Sequence, residues 1–187
     1  MLKTRCAWAG TDPVYIDYHD REWAYCVHDD QKLFEYLLLE TFQAGLSWIT
    51  ILKKRENFRL AFDDFNANII ACYDEQKMGE LMLDKGIIRN RLKIKGATIN
   101  AQLFLKIQDE FGSFNNYIWQ FTAHKTIVNH WENIKQLPSY SVESDNMSKD
   151  LKKRGFKFVG STVCYAFMQA VGMVDDHIAD CFRKNKK

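Results

Sequence analysis

The chain has 187 residues, of which 47% are hydrophobic and 27% charged. That composition excludes a disordered polypeptide and suits one domain or two tightly fused ones. Its 26 basic and 24 acidic residues leave a formal net charge of +2, so a polyanion would have to be met by local basic patches.

In chain order, the first residues, Met1-Leu2-Lys3-Thr4-Arg5-Cys6, lack the apolar core of a signal peptide, which reads as a cytoplasmic protein. Leu33, Phe34, Leu37 and Leu38 repeat at intervals of three and four and predict a helix. Asn66, before Ala67, reads as an N-cap, and Leu81 belongs to a further helix. Leu83–Lys95 forms a turn between two helices, the second carrying Leu103, Phe104 and Ile107. Lys135–Ser144 is a polar, proline-containing loop, with Ser144 read as the cap of the next helix. The longest uncharged run, Phe158–Val174, is broken by Gly160, Ser161, Thr162, Gln169 and Gly172 and is too short to span a membrane. With only 2 prolines and no sustained period-two alternation, the predicted fold class is all-α, one helical unit over residues 1–187.

Five cysteines form an odd, scattered set, which in a reducing compartment means thiols or metal ligands. Cys6 and His19 lie near one end of the chain, and His177-x₃-Cys181 near the other. On a helix, the second pair would share one face. Two thiolates and two imidazoles make a closed tetrahedral set for a structural Zn²⁺ that would join the termini. The alternative is a buried cysteine and an exposed histidine at each end. Cys26, Cys72 and Cys164 have no ligand at useful spacing and read as core residues.

Gly86 is placed to end one helix before a second whose free amides, flanked by Arg89, Arg91, Lys93 and Lys95, suit an anion. Such an element grips a phosphate backbone without reading sequence. A simple connecting turn is the alternative. Lys53, Lys54, Arg55 and Arg59 form a second basic cluster. Lys149, Lys152, Lys153, Arg154 and Lys157, around a helix-ending Gly155, form a third. Three patches on a near-neutral chain suggest a phosphate-tracking surface. A basic run, Arg183–Lys187, closes the chain.

Glu40 stands alone in the apolar run Leu37–Ile49, and a buried carboxylate needs either a protein partner or a ligand. Upstream, Tyr15, Tyr18 and Trp23 concentrate aromatic faces. Together they would suit a flat, electron-poor base held out of a duplex. A core acid among ordinary packing aromatics is the other reading.

Cys6-x-Trp8, Asp12-Pro13-x-Tyr15-x-x-Tyr18-His19-Asp20-x-Glu22-Trp23, Gln43-Ala44-Gly45-Leu46-Ser47-Trp48, Lys53-Lys54-Arg55-Glu56-Asn57, Gly86-Ile87-Ile88-Arg89 and Lys152–Gly160 together resemble the DNA-3-methyladenine glycosylase I family. The resemblance runs in order from Cys6 to Cys181. It implies a helix-hairpin-helix glycosylase, with the hairpin near residues 81–105, that flips out 3-methyladenine and hydrolyses it from double-stranded DNA. It implies structural Zn²⁺ at Cys6, His19, His177 and Cys181, base recognition by Glu40, and a base enclosed by Tyr15, Tyr18, Trp23 and Trp48. Gly45 and Leu46 would press into the duplex, while Gly86, Arg89 and Lys93 would hold the backbone. A monomer with no membrane partner and no small-molecule cofactor is expected. Asp109 and Glu110, beyond the hairpin, read as a helix end.

Two departures stand out. The family usually places Gly, with a Pro nearby, after the Trp that Trp23 matches, where this chain has Ala24-Tyr25-Cys26. Thr41 occupies the position of a common glycine after the pocket glutamate. A silent damage-binding protein on the same scaffold, or a glycosylase of broader alkylpurine range, are the alternatives these departures leave open.

Overall fold

The structure, a computed structural model, describes residues 3–184. Its helices are α1 (Pro13–Arg21), α2 (Asp30–Gln43), α3 (Trp48–Leu52), α4 (Arg55–Ala61), α5 (Ala67–Ile70), α6 (Glu75–Leu83), α7 (Arg91–Phe111), α8 (Phe114–Trp119), α9 (Val142–Arg154) and α10 (Ser161–Ala170). β1 (Ile127–Val128) and β2 (Val174–Asp175) pair in parallel, with Ile127 opposite Val174.

α2 is the central element. Every residue from Leu33 to Phe42 is buried, so its apolar pattern continues around the helix instead of forming one stripe. α3, α7, α8 and α10 pack against it. Two neighbouring acids begin it: Asp29 caps the first turn by accepting from Lys32 N at 2.9 Å. Asp30 turns away and accepts from Phe114 N, Asn115 N and Gln108 Nε2, which ties the start of α2 to the start of α8.

Local chemistry sets most of the other boundaries. α1 opens with Pro13 behind Asp12, whose carboxylate accepts from Val14 N. Asn66 caps α5 as predicted, accepting from Asn68 N at 3.1 Å. Gly155 ends α9 at φ 104°, also as predicted. Ser144 does not cap α9, because that place belongs to Ser141. Ser144 sits three residues inside and returns the bond, its Oγ accepting from Ser141 N at 2.8 Å.

The helical reading holds except for the β1–β2 ladder, which at two residues each is too short for any periodicity to announce. Among the other cysteines, Cys164 is buried but Cys26 and Cys72 are exposed, a correction to their reading as core residues. Among the described residues no helix is long and apolar enough to cross a membrane.

Candidate functional site

α1 carries Tyr15 and Tyr18 three residues apart, hence on one face, and α2 does the same with Glu40 and Gln43. Their faces meet around a cavity of about 170 Å³, closed by Trp8, Trp23, Trp48, Leu137, and Ala166 and Gln169 of α10. The rings brace one another: Trp8 lies 5.0 Å from Tyr15 and 4.8 Å from Trp23, and Tyr18 lies 5.5 Å from Trp48. All five residues expected at a base pocket, Tyr15, Tyr18, Trp23, Glu40 and Trp48, therefore line one space.

Glu40 is only 3% exposed, and its Oε2 has no hydrogen-bond partner. Burial pushes its carboxyl up to about 8. Trp48 Nε1, in the same lining, is a buried donor that is likewise unpartnered. Each such orphan costs roughly 1–3 kcal/mol, a cost that a ligand offering the matching group removes. Glu22 shows the contrast: Arg55 grips it at 2.5 and 2.8 Å and Tyr36 donates at 2.7 Å.

Thr41 Oγ1 donates back to Leu38 O at 2.7 Å, and α2 continues unbroken to Gln43. Ala24 takes φ 62°, the left-handed region that favours glycine, and its N–H donates to Gln169 O at 3.0 Å.

Sequence reading missed Trp8, Gln43, Leu137, Ala166 and Gln169 as lining residues. Trp8 and Gln43 lie inside the segments that resemble the family, and the three-residue spacing from Glu40 points to Gln43. The other three arrive through tertiary packing and left no local signal.

Beyond α2 the chain makes a tight turn. Ala44 at φ −46°, ψ 115° and Gly45 at φ 82°, with Leu46 N donating to Gln43 O at 2.7 Å, match a type II turn, which demands glycine at its third position. The turn leaves Leu46 exposed at its tip. Lys93 was expected to face phosphate, but it is buried and donates to Phe42 O at 2.8 Å and Ala44 O at 2.6 Å. Its ammonium caps the C-terminal end of α2, where orphan carbonyls and the helix dipole favour a cation.

Gly86 also behaves differently from expectation. α6 ends at Leu83, and Gly86 is not left-handed. Glycine is needed there because a Cβ would lie 2.9 Å from Asp84 Oδ1 and 3.0 Å from Asn57 Cβ. Its N–H donates to Asp84 Oδ1, while Lys54 Nζ donates to the carbonyls of Lys85 and Gly86. Asn90 then caps α7 through Leu92 N and Lys93 N, with Arg89 exposed beside it.

The basic clusters are thinner than their sequence suggests. Lys53 pairs with Asp12, Arg55 with Glu22, Arg59 with Glu35 and Glu56, and Arg154 with Asp150 and Glu110. Lys85, Arg89, Lys95, Lys149, Lys152, Lys153 and Lys157 are exposed. Of the terminal basic run, Asn185–Lys187 lies outside the described residues.

Behind the aromatic wall the two ends of the chain meet. Phe182 N donates to Thr4 O, and the ligand atoms of Cys6, His19 and Cys181 all lie within 4.8 Å of one another. His19 Nδ1 faces Asp20 Oδ1 at 2.9 Å, and Arg5 holds Asp20 so firmly that its carboxyl falls to about 2. A carboxylate only accepts, so the proton sits on Nδ1 and Nε2 presents a lone pair toward Cys181 Sγ, 3.4 Å away. His177 repeats the pattern, with Nδ1 on Asp175 Oδ1 at 2.8 Å and a buried Nε2 that lacks a partner. Its ring lies 5.2 Å from that of His19. Of the four expected ligands, Cys6, His19 and Cys181 are gathered into one group whose two thiols and carboxylate-held imidazole suit zinc, while His177 is not in that group. His177 and Cys181 do not share a helix as expected. β2 holds the chain extended to Asp175, Ala179 N bonds Trp131 O, and a turn with Cys181 N on Ile178 O brings the sulfur back.

Comparison with known proteins agrees with this geometry. A family model described as Methyladenine glycosylase matches residues 8–184. DNA-3-methyladenine glycosylase of Haemophilus influenzae is 47% identical over 180 residues, covering 96% of this chain and 97% of that protein. DNA-3-methyladenine glycosylase 1 of Escherichia coli is 46% identical over 177 residues, 95% of each chain. The solved structure of a variant of 3-methyladenine DNA glycosylase I in complex with 3-methyladenine has a TM-score of 0.94 at 37% identity, covering 97% of this chain and 98% of that one. With matches of this length and identity, the chain belongs to the methyladenine glycosylase family.

Proposed function

We propose that this protein carries out base-excision repair of alkylated DNA, releasing 3-methyladenine from the duplex by hydrolysis and leaving an abasic site. The observation that carries this reading is Glu40: a buried carboxylate with an unpartnered oxygen in a cavity walled by five aromatic rings. N3-methylated adenine in DNA is a flat cation, which aromatic faces and one carboxylate complement together. Its bond to the sugar is already weakened, and the base departs neutral, so no strong general acid is required. Glu40 is the catalytic residue in this scheme. It selects the extruded cation, while the desolvated pocket and the DNA phosphates stabilise charge developing at the sugar and water attacks there.

The turn at Gly45 with Leu46 exposed suits insertion where the flipped nucleotide has left the stack. α6, the Gly86 turn and α7, with Arg89 exposed, act as the helix-hairpin-helix grip on the backbone. Zn²⁺ held by Cys6, His19, His177 and Cys181 serves structure only, because a closed four-ligand set leaves no position for substrate. The whole chain works as one monomeric glycosylase unit in the cytoplasm.

The test is incubation with methylated DNA and identification of the released bases by mass spectrometry. Release of 3-methyladenine with 7-methylguanine retained is the expected result. Release of both would discard narrow selectivity, and binding without release would discard the enzyme.

A further inference from the structure

Asp176 is 0% exposed and faces no basic side chain among the described residues. Its oxygens are filled by four neutral donors instead. Asn129 Nδ2 and Trp131 Nε1 reach Oδ1 at 2.8 and 2.7 Å, and Tyr165 OH and Gln169 Nε2 each reach Oδ2 at 2.7 Å. The other three donors do not line the aromatic cavity, but Gln169 does.

An amide side chain has two faces, one donating and one accepting. Because a carboxylate offers acceptors only, Asp176 takes the NH₂ of Gln169 and leaves its carbonyl Oε1 as the group available to the cavity. Flipping the amide would set Oε1 against a carboxylate oxygen, an arrangement that like partial charges oppose. Gln169 Oε1 accepts no hydrogen bond among the described residues.

We propose that Gln169 is a specificity-determining residue for the excision reaction and that Asp176 is the positioning residue that fixes its carbonyl toward the base. The inference rests on the glycosylase reading given above. An adenine-type base carries an exocyclic amine with two N–H bonds. Glu40 can accept one and Gln169 Oε1 the other, so the pocket satisfies both hydrogens. A guanine-type base has a carbonyl oxygen at that ring position, which would set like partial charges against Gln169 Oε1. Sites built to hydrogen-bond a substrate group reject an analogue without it far better than apolar walls do. Gln169 thus selects amino-bearing over keto-bearing N3-methylated purines.

The experiment uses the full-length protein, its Gln169→Met variant and its Asp176→Asn variant. Each is incubated with DNA methylated at purine N3, and the single-turnover release of 3-methyladenine and 3-methylguanine is followed in the same tube. Gln169→Met removes the acceptor but leaves three donors on Asp176, so the buried network largely persists. It should lower the preference for 3-methyladenine by about tenfold, the scale of one hydrogen bond. Asp176→Asn can donate to Oε1 and release the amide to flip, so it should lower the preference in the same direction. A purely structural role would slow both bases equally, and an unchanged ratio in Gln169→Met would overturn the proposal even if Asp176→Asn failed to fold. The wild type separates the two levels of the argument. If it releases 3-methyladenine and the ratio never moves, only the Gln169 assignment falls; if it releases nothing, the parent reading falls with it.

Discussion

At the scale of single residues, Glu40 couples stability and activity to pH. Its folded-state carboxyl titrates near 8, above the ordinary glutamate range, so between roughly pH 4 and 8 the folded chain holds a proton that the unfolded chain has lost. The associated stability is fully present below the unfolded value and is lost as pH rises through the folded one. Urea unfolding at pH 5 and pH 8 should show the wild type losing several kcal/mol more than Glu40→Gln, which carries no titrating group there. Because the ionised form meets the cationic base, kcat/KM should rise with pH and level off above about 8. In Glu40→Gln that rise should vanish and base release should fall by about 100-fold, with DNA affinity nearly unchanged. Ala24 is a second residue-scale case. Its Cβ is held in the left-handed region at φ 62°, so Ala24→Gly should stabilise the protein by up to about 1 kcal/mol, a rise of ~2–4 °C in Tm by calorimetry.

Between elements, Lys93 joins α7 to the end of α2 and to the turn that exposes Leu46. Its ammonium lies on carbonyls 51 and 49 residues away in sequence, and burial lowers its pKa. Lys93→Met should therefore lower unfolding stability by roughly 1–3 kcal/mol in urea titrations. The slope of log DNA affinity against log salt should stay at the wild-type value, because no phosphate contact is removed; a shallower slope would place Lys93 on the DNA instead. Arg89→Ala is the informative contrast, since Arg89 is exposed at the hairpin and its loss should make the slope shallower by about one unit.

Over the whole molecule, the cavity and the joined termini are two sides of one wall. Trp23 stacks on His19 at 6.1 Å and meets His177 edge-on at 4.6 Å, while its other contacts, with Trp8, face the cavity lining. Elemental analysis should find one zinc per chain. Chelation or Cys181→Ala should lower Tm and expose the terminal segments to protease before it changes the chemistry, as expected for metal binding linked to folding. Because Trp23 is shared, base affinity should then weaken as the wall loosens. A metal-free protein with unchanged Tm would remove zinc from the account.

The amino-acid sequence alone determined what depends on neighbours a few residues apart. The helical class, the caps at Asn66 and Gly155, the aromatic faces of α1 and the isolation of Glu40 in an apolar run all follow from spacing and capping chemistry. Only the tertiary structure decided which polar group answers which. Lys93 finds carbonyls on another helix, Gly86 is required by the approach of Asn57 rather than by its own φ, and Cys181 comes together with Cys6 and His19 from far along the chain. Gln169 receives its orientation from Asp176. Each of these depends on hydrogen-bond partners or close approaches supplied by other elements of the fold, and burial makes those partners obligatory without leaving a trace in local spacing.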